Sequence, residues 1–264
     1  MTPSSLTQAA QDYLKAVYHL GQPGRSVNTN KLAEALEVAP ASVTGMLKKL
    51  SKDGYLDYTP RQGAELTNKG LQVALEIIRH HRLLEAFFVQ RLGMDWTQAH
   101  REAETLEHFI SEELERLLDE LMGFPEFDPQ GSPIPTRDGD IRSQDWPSLV
   151  NAEPGSEYVI RRVRHAERPL LQYIERLGLV PGIRVKVQSV GPFEGPVSVT
   201  FNDTTVHLGH KSAGAIFVES IAHSNPLPAT DQSHRSHQQP STSRSRPSET
   251  RSTAESQGGE NELV

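Results

Sequence analysis

The stretch EALEVAPASVTGMLKKLSKDGYL, residues 34–56, decides the fold of the first part of the chain. A short helix ends near Leu36, and residues 37–39 form a tight connection. Pro40 follows at a place where proline is tolerated, because the first helical residue needs no backbone N–H. Two helices joined by three residues are typical of the helix-turn-helix motif.

The residues on either side of this stretch complete a DNA-binding domain. Residues 7–20 have the apolar periodicity of an amphipathic helix. Gly54 ends the second helix, and YLDYTPRQGAELT predicts a β-hairpin wing with Arg61 at its tip. We therefore predict a winged helix-turn-helix DNA-binding domain over residues 1–70. A winged helix used only for protein contacts is the alternative.

The start of the second helix carries small and hydroxyl-bearing residues that fit a DNA groove. Small residues let the backbone approach closely, hydroxyl groups reach base edges or phosphates, and an alanine methyl contacts thymine. Lysine and arginine hold the phosphate backbone. The predicted DNA-binding residues are Ala39, Pro40, Ala41, Ser42, Thr44, Gly45, Lys48 and Arg61.

A second informative stretch, HREAETLEHFIS at 100–111, predicts a helix with one polar face that continues to about Met122. Unpaired charge on a buried face costs several kcal/mol, about what a whole domain has to spare. A divalent cation removes this cost, whereas a solvated acidic face avoids it, and both interpretations remain open from this stretch alone. The face carries positions i, i+4, i+7, i+8 and i+11, namely His100, Glu104, Glu107, His108 and Ser111.

A long helix is predicted before this stretch, from Thr67 to about Leu92. His81 and Glu85 are spaced i, i+4 on it, which permits chelation, although such a pair is more often an exposed ion pair. The two helices form a predicted metal-binding and dimerisation domain over residues 71–136. Their aromatic residues suggest a dimer face, and core packing explains them equally well: Phe87, Phe88, Trp96 and Phe109.

The rest of the chain changes character twice. Residues 137–150 are a predicted linker, and residues 151–222 contain short β-branched alternations with one helix, which predicts a small SH3-like β-barrel domain. Residues 223–264 have too few aliphatic side chains for a core and are predicted to be disordered. The predicted fold class is α+β, mainly α.

Composition limits the function further. The chain has no cysteine, which excludes disulfides and zinc–thiolate fingers and leaves oxygen and imidazole ligands for a metal. Neither a signal peptide nor an apolar run of ~18 residues is present, so we expect a cytoplasmic protein without membrane contact. Residues 1–70 contain eight Lys and Arg against six Asp and Glu, whereas residues 71–130 contain five against thirteen. The first part suits phosphate and the second suits cations.

The winged helix, HHRLLE, HREAETLEH, DPQGSPIP and a terminal β domain follow one another in the order typical of the diphtheria-toxin-repressor family, which the chain resembles over about residues 5–222. The resemblance implies a metal-dependent repressor, not an enzyme, that binds palindromic operators of double-stranded DNA as a homodimer. Its primary metal site draws on the first helix and on the helix that here contains HREAETLEH, which we call the metal helix. Its second site draws on the helix that here contains HHRLLE and on the start of the metal helix. The implied ligands are Asp12, Glu104, Glu107 and His108 for the primary site and His81, Glu85 and His100 for the second.

The resemblance also bears on the metal. Iron-type members have Met and Cys where this chain has Asp12 and Glu104, and manganese-type members have carboxylates there. Manganese is a hard ion that prefers oxygen ligands, so we expect Mn²⁺, with Fe²⁺ as the alternative and with Zn²⁺, Co²⁺ or Cd²⁺ able to substitute in vitro. The expected function is repression of metal-homeostasis genes such as those of metal transporters. A carboxylate metalloenzyme is a distant alternative.

Two departures from the family pattern concern the number of metals. Two-domain manganese regulators have a further acid where this chain has Lys15, so their binuclear centre is not expected here. Three-domain iron-type members take Glu and Gln ligands from the β domain. Those positions correspond to Arg162, which cannot be a ligand, and His165, which can.

Overall fold

A computed structural model describes residues 6–21, 25–142, 144–164 and 168–221. The predicted tail, residues 223–264, and the candidate ligand His165 lie outside these ranges. No helix in the described ranges is long and apolar enough to cross a membrane.

The first part of the chain is the predicted winged helix-turn-helix. Asn28 caps the second helix through its side chain, and Pro40 is the first residue of the third. The hairpin is antiparallel, with Leu56 opposite Leu66 and Thr59 opposite Gly63. Its elements are α1 (Gln8–Leu20), α2 (Thr29–Ala35), α3 (Pro40–Lys52), β1 (Leu56–Thr59) and β2 (Gly63–Leu66).

The predicted long helix is confirmed as α4 (Asn68–Leu92). The Thr67 hydroxyl caps it by accepting a hydrogen bond from Gly70 N at 3.2 Å. A Cβ atom at Gly70 would lie 2.0 Å from the Tyr55 carbonyl oxygen, so only glycine lets the helix start against the wing. Helix α4 contacts α1 and also the two helices that follow it in the chain.

The prediction of one helix through 100–111 to about Met122 is wrong. The chain forms two helices, α5 (Trp96–Leu106) and α6 (Glu112–Met122). Ser111 interrupts the helix because its backbone is extended and its hydroxyl accepts from Leu114 N at 3.2 Å, which caps α6. Residues 107–111 therefore form a bend, and helical spacing does not apply beyond Glu107.

Residues 148–221 form the predicted small β domain, an antiparallel sheet in the order β6-β5-β4-β3-β7. A 3₁₀ turn, Leu149–Asn151, precedes it, and Ser148 from the end of the predicted linker pairs with Phe217. Bulges in β3 and β4 bend the sheet around one apolar core. The elements are β3 (Glu157–Val163), α7 (Arg168–Arg176), β4 (Arg184–Val190), β5 (Val197–Phe201), β6 (Thr204–Leu208), α8 (His210–Gly214) and β7 (Ile216–Ser220).

The DPQGSPIP segment joins the helical part to the β domain. Val163 N donates to the Gln130 carbonyl oxygen at 2.7 Å. Gly131 has φ 84°, and a Cβ atom there would lie 1.9 Å from the Arg161 carbonyl oxygen. Glycine is thus required for this close approach of two backbones.

Candidate metal centre

Helix α1 brings a carboxylate from the DNA-binding part to the helical part. Its apolar side is buried in the winged-helix core, so the opposite side faces the bend between α5 and α6. That side carries Gln11, Asp12 and Lys15, and all three reach residues of the predicted metal sites.

The Asp12 cluster consists of Asp12, Glu107 and His108, whose ligand atoms lie within 4.8 Å of one another. His108 Nε2 is 3.0 Å from Asp12 Oδ1 and 3.5 Å from Glu107 Oε1. His108 Nδ1 donates to Gln11 Oε1 at 2.6 Å, which directs Nε2 toward the two carboxylates. Such an outer contact is typical of metal-ligating histidines, which makes Gln11 a candidate functional residue that sequence reasoning missed.

The His81 cluster consists of His81, His100 and Glu104, again with ligand atoms within 4.8 Å of one another. His81 Nε2 is 3.0 Å from His100 Nδ1 and 3.2 Å from Glu85 Oε1. Glu85 Oε1 is also 3.1 Å from His100 Nδ1, although Glu85 itself is almost fully buried. The predicted second-site residues therefore meet, with Glu104 as an additional member.

Glu104 was predicted as a primary-site ligand beside Asp12, whereas the structure groups it with His81 and His100. The residue between the two clusters is Glu107, since His81 Nδ1 lies 2.5 Å from Glu107 Oε2. His80 holds the backbone of the same residue, because its Nδ1 is 3.0 Å from the Glu107 carbonyl oxygen. Glu107, at the end of α5, thus connects the two clusters.

Lys15 occupies the space between the carboxylates of the two clusters. Its Nζ lies 2.7 Å from Glu104 Oε1 and 2.8 and 2.9 Å from the two oxygens of Glu107. The position that departs from the two-domain manganese regulators therefore places an internal cation beside two acids. Sequence reasoning identified the departure but not this contact.

The charges in the centre shift one another's pKa values. Burial lowers the pKa of the Lys15 ammonium, but Glu107 and Glu104 outweigh burial and raise it above its usual value. Burial favours a neutral His81 ring, yet Glu85 and Glu107 raise its pKa to about 9. Burial opposes ionisation of Glu104, but Lys15 and His81 lower its pKa to about 2. The centre is therefore a network of ionised groups from three helices.

The donor set fits a divalent cation. Carboxylate oxygens and imidazole nitrogens are ligands that manganese and iron accept, and the fully buried Glu107 carboxylate needs cationic partners. Of the two β-domain positions considered, Arg162 stacks with its guanidinium carbon 4.3 Å from the centroid of the Phe217 ring, away from a ligand role. His165 lies outside the described residues.

All but one of the predicted DNA-binding residues are exposed. The Thr44 hydroxyl donates to the Pro40 carbonyl oxygen at 3.1 Å, so only its lone pairs remain for DNA. Arg61 has φ 71° at the exposed tip of the β1–β2 hairpin. The exposed members of the set are Ala39, Pro40, Ala41, Ser42, Gly45, Lys48 and Arg61, and Thr44 is half-buried.

A winged helix whose first helix shares a candidate metal centre with a helical domain is typical of metal-regulated DNA-binding proteins. Family models match the chain in the same order. The N-terminal DNA-binding domain of the iron-dependent repressor matches residues 5–64, its metal-binding and dimerisation domain matches residues 67–136, and the FeoA domain matches residues 148–220.

Similar proteins agree with these matches. The iron-dependent repressor IdeR of Mycobacterium tuberculosis (strain ATCC 25618 / H37Rv) is 30% identical over 238 residues, which cover 83% of this chain and 100% of the relative. A manganese-dependent transcriptional repressor solved in complex with manganese is 35% identical with a TM-score of 0.73, covering 80% and 100%. ScaR with bound Cd²⁺ is 33% identical with a TM-score of 0.68, covering 80% and 99%.

The chain belongs to the diphtheria-toxin-repressor family of metal-dependent, DNA-binding transcriptional repressors. This family consists of repressors rather than enzymes, so the metalloenzyme alternative is wrong. The predicted architecture of winged helix, helical domain and terminal β domain is confirmed.

Proposed function

We propose that this protein is a manganese-dependent repressor of metal-homeostasis genes such as those of metal transporters. The observation that supports manganese most directly is the donor set: Asp12 contributes a carboxylate to one cluster and Glu104 to the other. Oxygen donors suit the hard Mn²⁺ ion, and the chain has no cysteine. The manganese-bound relative supports this choice, whereas the iron-dependent relative keeps an iron-responsive repressor as the second candidate.

The connection between metal and DNA is carried by α1. Asp12 belongs to a helix buried in the winged-helix core, while Glu107 and His108 belong to the helical domain. Asp12, Glu107 and His108 would hold a divalent cation, and its positive charge would let these groups stay close. Ordering α1 against the bend then fixes the recognition helix relative to the helical domain. Because DNA and metal favour the same arrangement, each strengthens the binding of the other.

Helix α3 is the proposed recognition helix. Gly45 lies in its middle, where glycine costs roughly 0.5–1 kcal/mol relative to alanine. A Cβ atom at Gly45 would meet no atom of the protein within 4 Å, so the fold does not need glycine there. Close approach of DNA from outside provides the reason for it. Lys48 and Arg61 are exposed and suit phosphate contacts.

Helix α6 provides the proposed homodimer face. Its exposed apolar residues follow a helical stripe that a soluble monomer has no reason to keep. Of the aromatic residues considered for this face, Phe109 is 71% exposed, whereas Phe88 and Trp96 are buried and serve as core. The stripe consists of Leu114, Leu117 and Leu121, with Phe109 and Phe124 beside its two ends.

Leu117→Glu tests the dimer face. We expect this change to convert the dimer to a monomer in sedimentation velocity, because a charge in an apolar interface is left without a partner. Arg116→Gln is the matched control, since it makes the same change of one charge unit on a neighbouring position outside the stripe. A dimer that persists in Leu117→Glu contradicts the assignment.

Asp12→Ala tests the coupling. We expect the variant to lose Mn²⁺-dependent operator binding, because the only winged-helix carboxylate of the Asp12 cluster is gone. Its β domain should remain folded, as judged by hydrogen exchange. Glu102→Ala, which removes an exposed carboxylate from α5, is the control and should bind DNA like the wild type. Metal-dependent operator binding that persists in Asp12→Ala contradicts the mechanism.

A further inference from the structure

Trp96, the first residue of α5, belongs to the core of the β domain rather than to the helical domain. Its side chain is 4% exposed. It packs in the same apolar cluster as Leu171 and Ile174 of α7. The side chain of the first residue of α5 is therefore packed in the core of the β domain.

A hydrogen bond reinforces this junction. Glu175 Oε1, on α7, accepts from the Trp96 backbone N–H at 3.0 Å, and Asp95 Oδ1 accepts from Gln98 N at 2.8 Å. The first amides of a helix lack intrahelical partners, and carboxylates there are favoured by the helix dipole. Glu175 thus caps α5 from another domain.

The anchored residue shares a helical stripe with two metal-ligating residues. Trp96, His100 and Glu104 are spaced i, i+4 and i+8 on α5. A rise of 1.5 Å per residue places His100 about 6 Å and Glu104 about 12 Å from Trp96 along the axis. On the flank of the helix, Ala99 and Ala103 are fully buried against α4. The position and rotation of α5 therefore depend on both α4 and the β domain.

We propose that the β domain tunes metal binding by positioning α5 through Glu175 and Trp96. It acts on the His81 cluster through the position and rotation of α5, and neither Glu175 nor Trp96 belongs to that cluster. The Asp12 cluster depends on it less, because its ligands come from α1 and from the bend that His80 holds at Glu107. The inference rests on the proposed function and adds a role for the β domain to it.

The experiment is Mn²⁺ titration of the full chain, followed by the electron paramagnetic resonance signal of the free ion. An Asp12→Ala background isolates the His81 cluster, and a His100→Ala background isolates the Asp12 cluster. We expect Glu175→Ala to weaken the His81 cluster about threefold to tenfold and to leave the Asp12 cluster within about twofold. Glu175→Gln should restore most of the affinity, since its amide oxygen still accepts from Trp96 N. Glu153→Ala, an exposed acid of the same domain, is the control.

A second readout is the change in hydrogen exchange that Mn²⁺ causes. A contact that only stabilised the fold would not make this change depend on Glu175. By reciprocity, Mn²⁺ should slow exchange at Trp96 and in α7 of the wild type, and this effect should shrink in Glu175→Ala. Wild-type affinity of the His81 cluster in Glu175→Ala, or equal losses at both clusters, overturns the inference. Absence of Mn²⁺ binding by the wild type would contradict the proposed function as well. Mn²⁺ binding by the wild type with unchanged affinity in Glu175→Ala would contradict the inference alone, so the two failures are distinguishable.

Discussion

Lys15→Met removes the ammonium that lies between Glu104 and Glu107 while keeping an apolar stem of similar length. The Lys15 side chain is 12% exposed and that of Glu107 is fully buried, so the pair behaves as a buried ion pair. Glu104 is 43% exposed and contributes little. Removing one partner of a buried pair costs about 3–5 kcal/mol. The protonated His81 remains 2.5 Å from Glu107, so we expect a loss near the lower limit, about 3 kcal/mol.

Bound Mn²⁺ should offset most of this loss, because the ion neutralises the same carboxylates that Lys15 neutralises. If about 2 kcal/mol is recovered, linkage requires Mn²⁺ to bind roughly 30-fold more tightly to Lys15→Met than to the wild type. Urea unfolding with chelator and with saturating Mn²⁺ measures the two losses of stability, and titration calorimetry measures the affinity. Lys31→Met, on the exposed side of α2, is the matched control.

The reasoning is refuted by either of two results. Equal losses of stability with and without Mn²⁺ would show that Lys15 acts only through packing. Weaker Mn²⁺ binding in Lys15→Met would show that the ammonium supports the metal site rather than competing with it.

Two further predictions concern pH and stability. Because Glu85 and Glu107 raise the pKa of His81 to about 9, the ring carries a proton at pH 7 that a metal must displace. The Mn²⁺ affinity of its cluster should therefore rise about tenfold per pH unit from pH 7 to 8.5. Anaerobic calorimetry checks this, and a pH-independent affinity contradicts it. Arg79→Met should lower the free energy of unfolding by about 3 kcal/mol, near the lower limit for a broken buried pair, because Glu115 and Asp119 lose their buried cation but keep the longer contacts of Arg137 at 3.4 and 3.9 Å. Burial opposes ionisation of Glu115, but His80 and Arg79 outweigh it and lower its pKa to about 2, so its contribution is present above pH 4.5 and is lost as the pH falls toward 2. Arg116→Met, which breaks an exposed pair, should leave the unfolding midpoint in the same urea experiment nearly unchanged.

Local signals were enough to predict the winged helix and the long helix. Pro40 at a helix start, glycines at turns and alternation in the hairpin are properties of short segments, and the structure keeps all of them. The break between α5 and α6 had a local signal too. Ser111 precedes Glu112 and Glu113, which is the pattern of a capped helix start, but the polar periodicity of the preceding helix outweighed it in the prediction.

The arrangement of the metal centre could not be predicted from local sequence signals. The types of ligand could be predicted from residue identity, but their grouping depends on how α1, α4 and α5 pack. Glu104, for example, lies with His81 and His100 in the structure, a grouping that residue identity alone does not indicate. Gln11 and Lys15 are polar residues on an amphipathic helix, and only the tertiary structure shows that they contact His108 and Glu107.

The measurement that tests the central claim most directly is operator binding by fluorescence anisotropy. Chelator-stripped protein is titrated with Mn²⁺ and, separately, with Fe²⁺ under anaerobic conditions, on a promoter fragment of a metal-transporter gene from the same genome. We predict that Mn²⁺ raises the affinity well over tenfold and that Fe²⁺ acts weakly or only at higher concentration. An equal response to Fe²⁺ at lower concentration contradicts the assignment of manganese, and tight operator binding by the metal-free protein contradicts metal dependence itself.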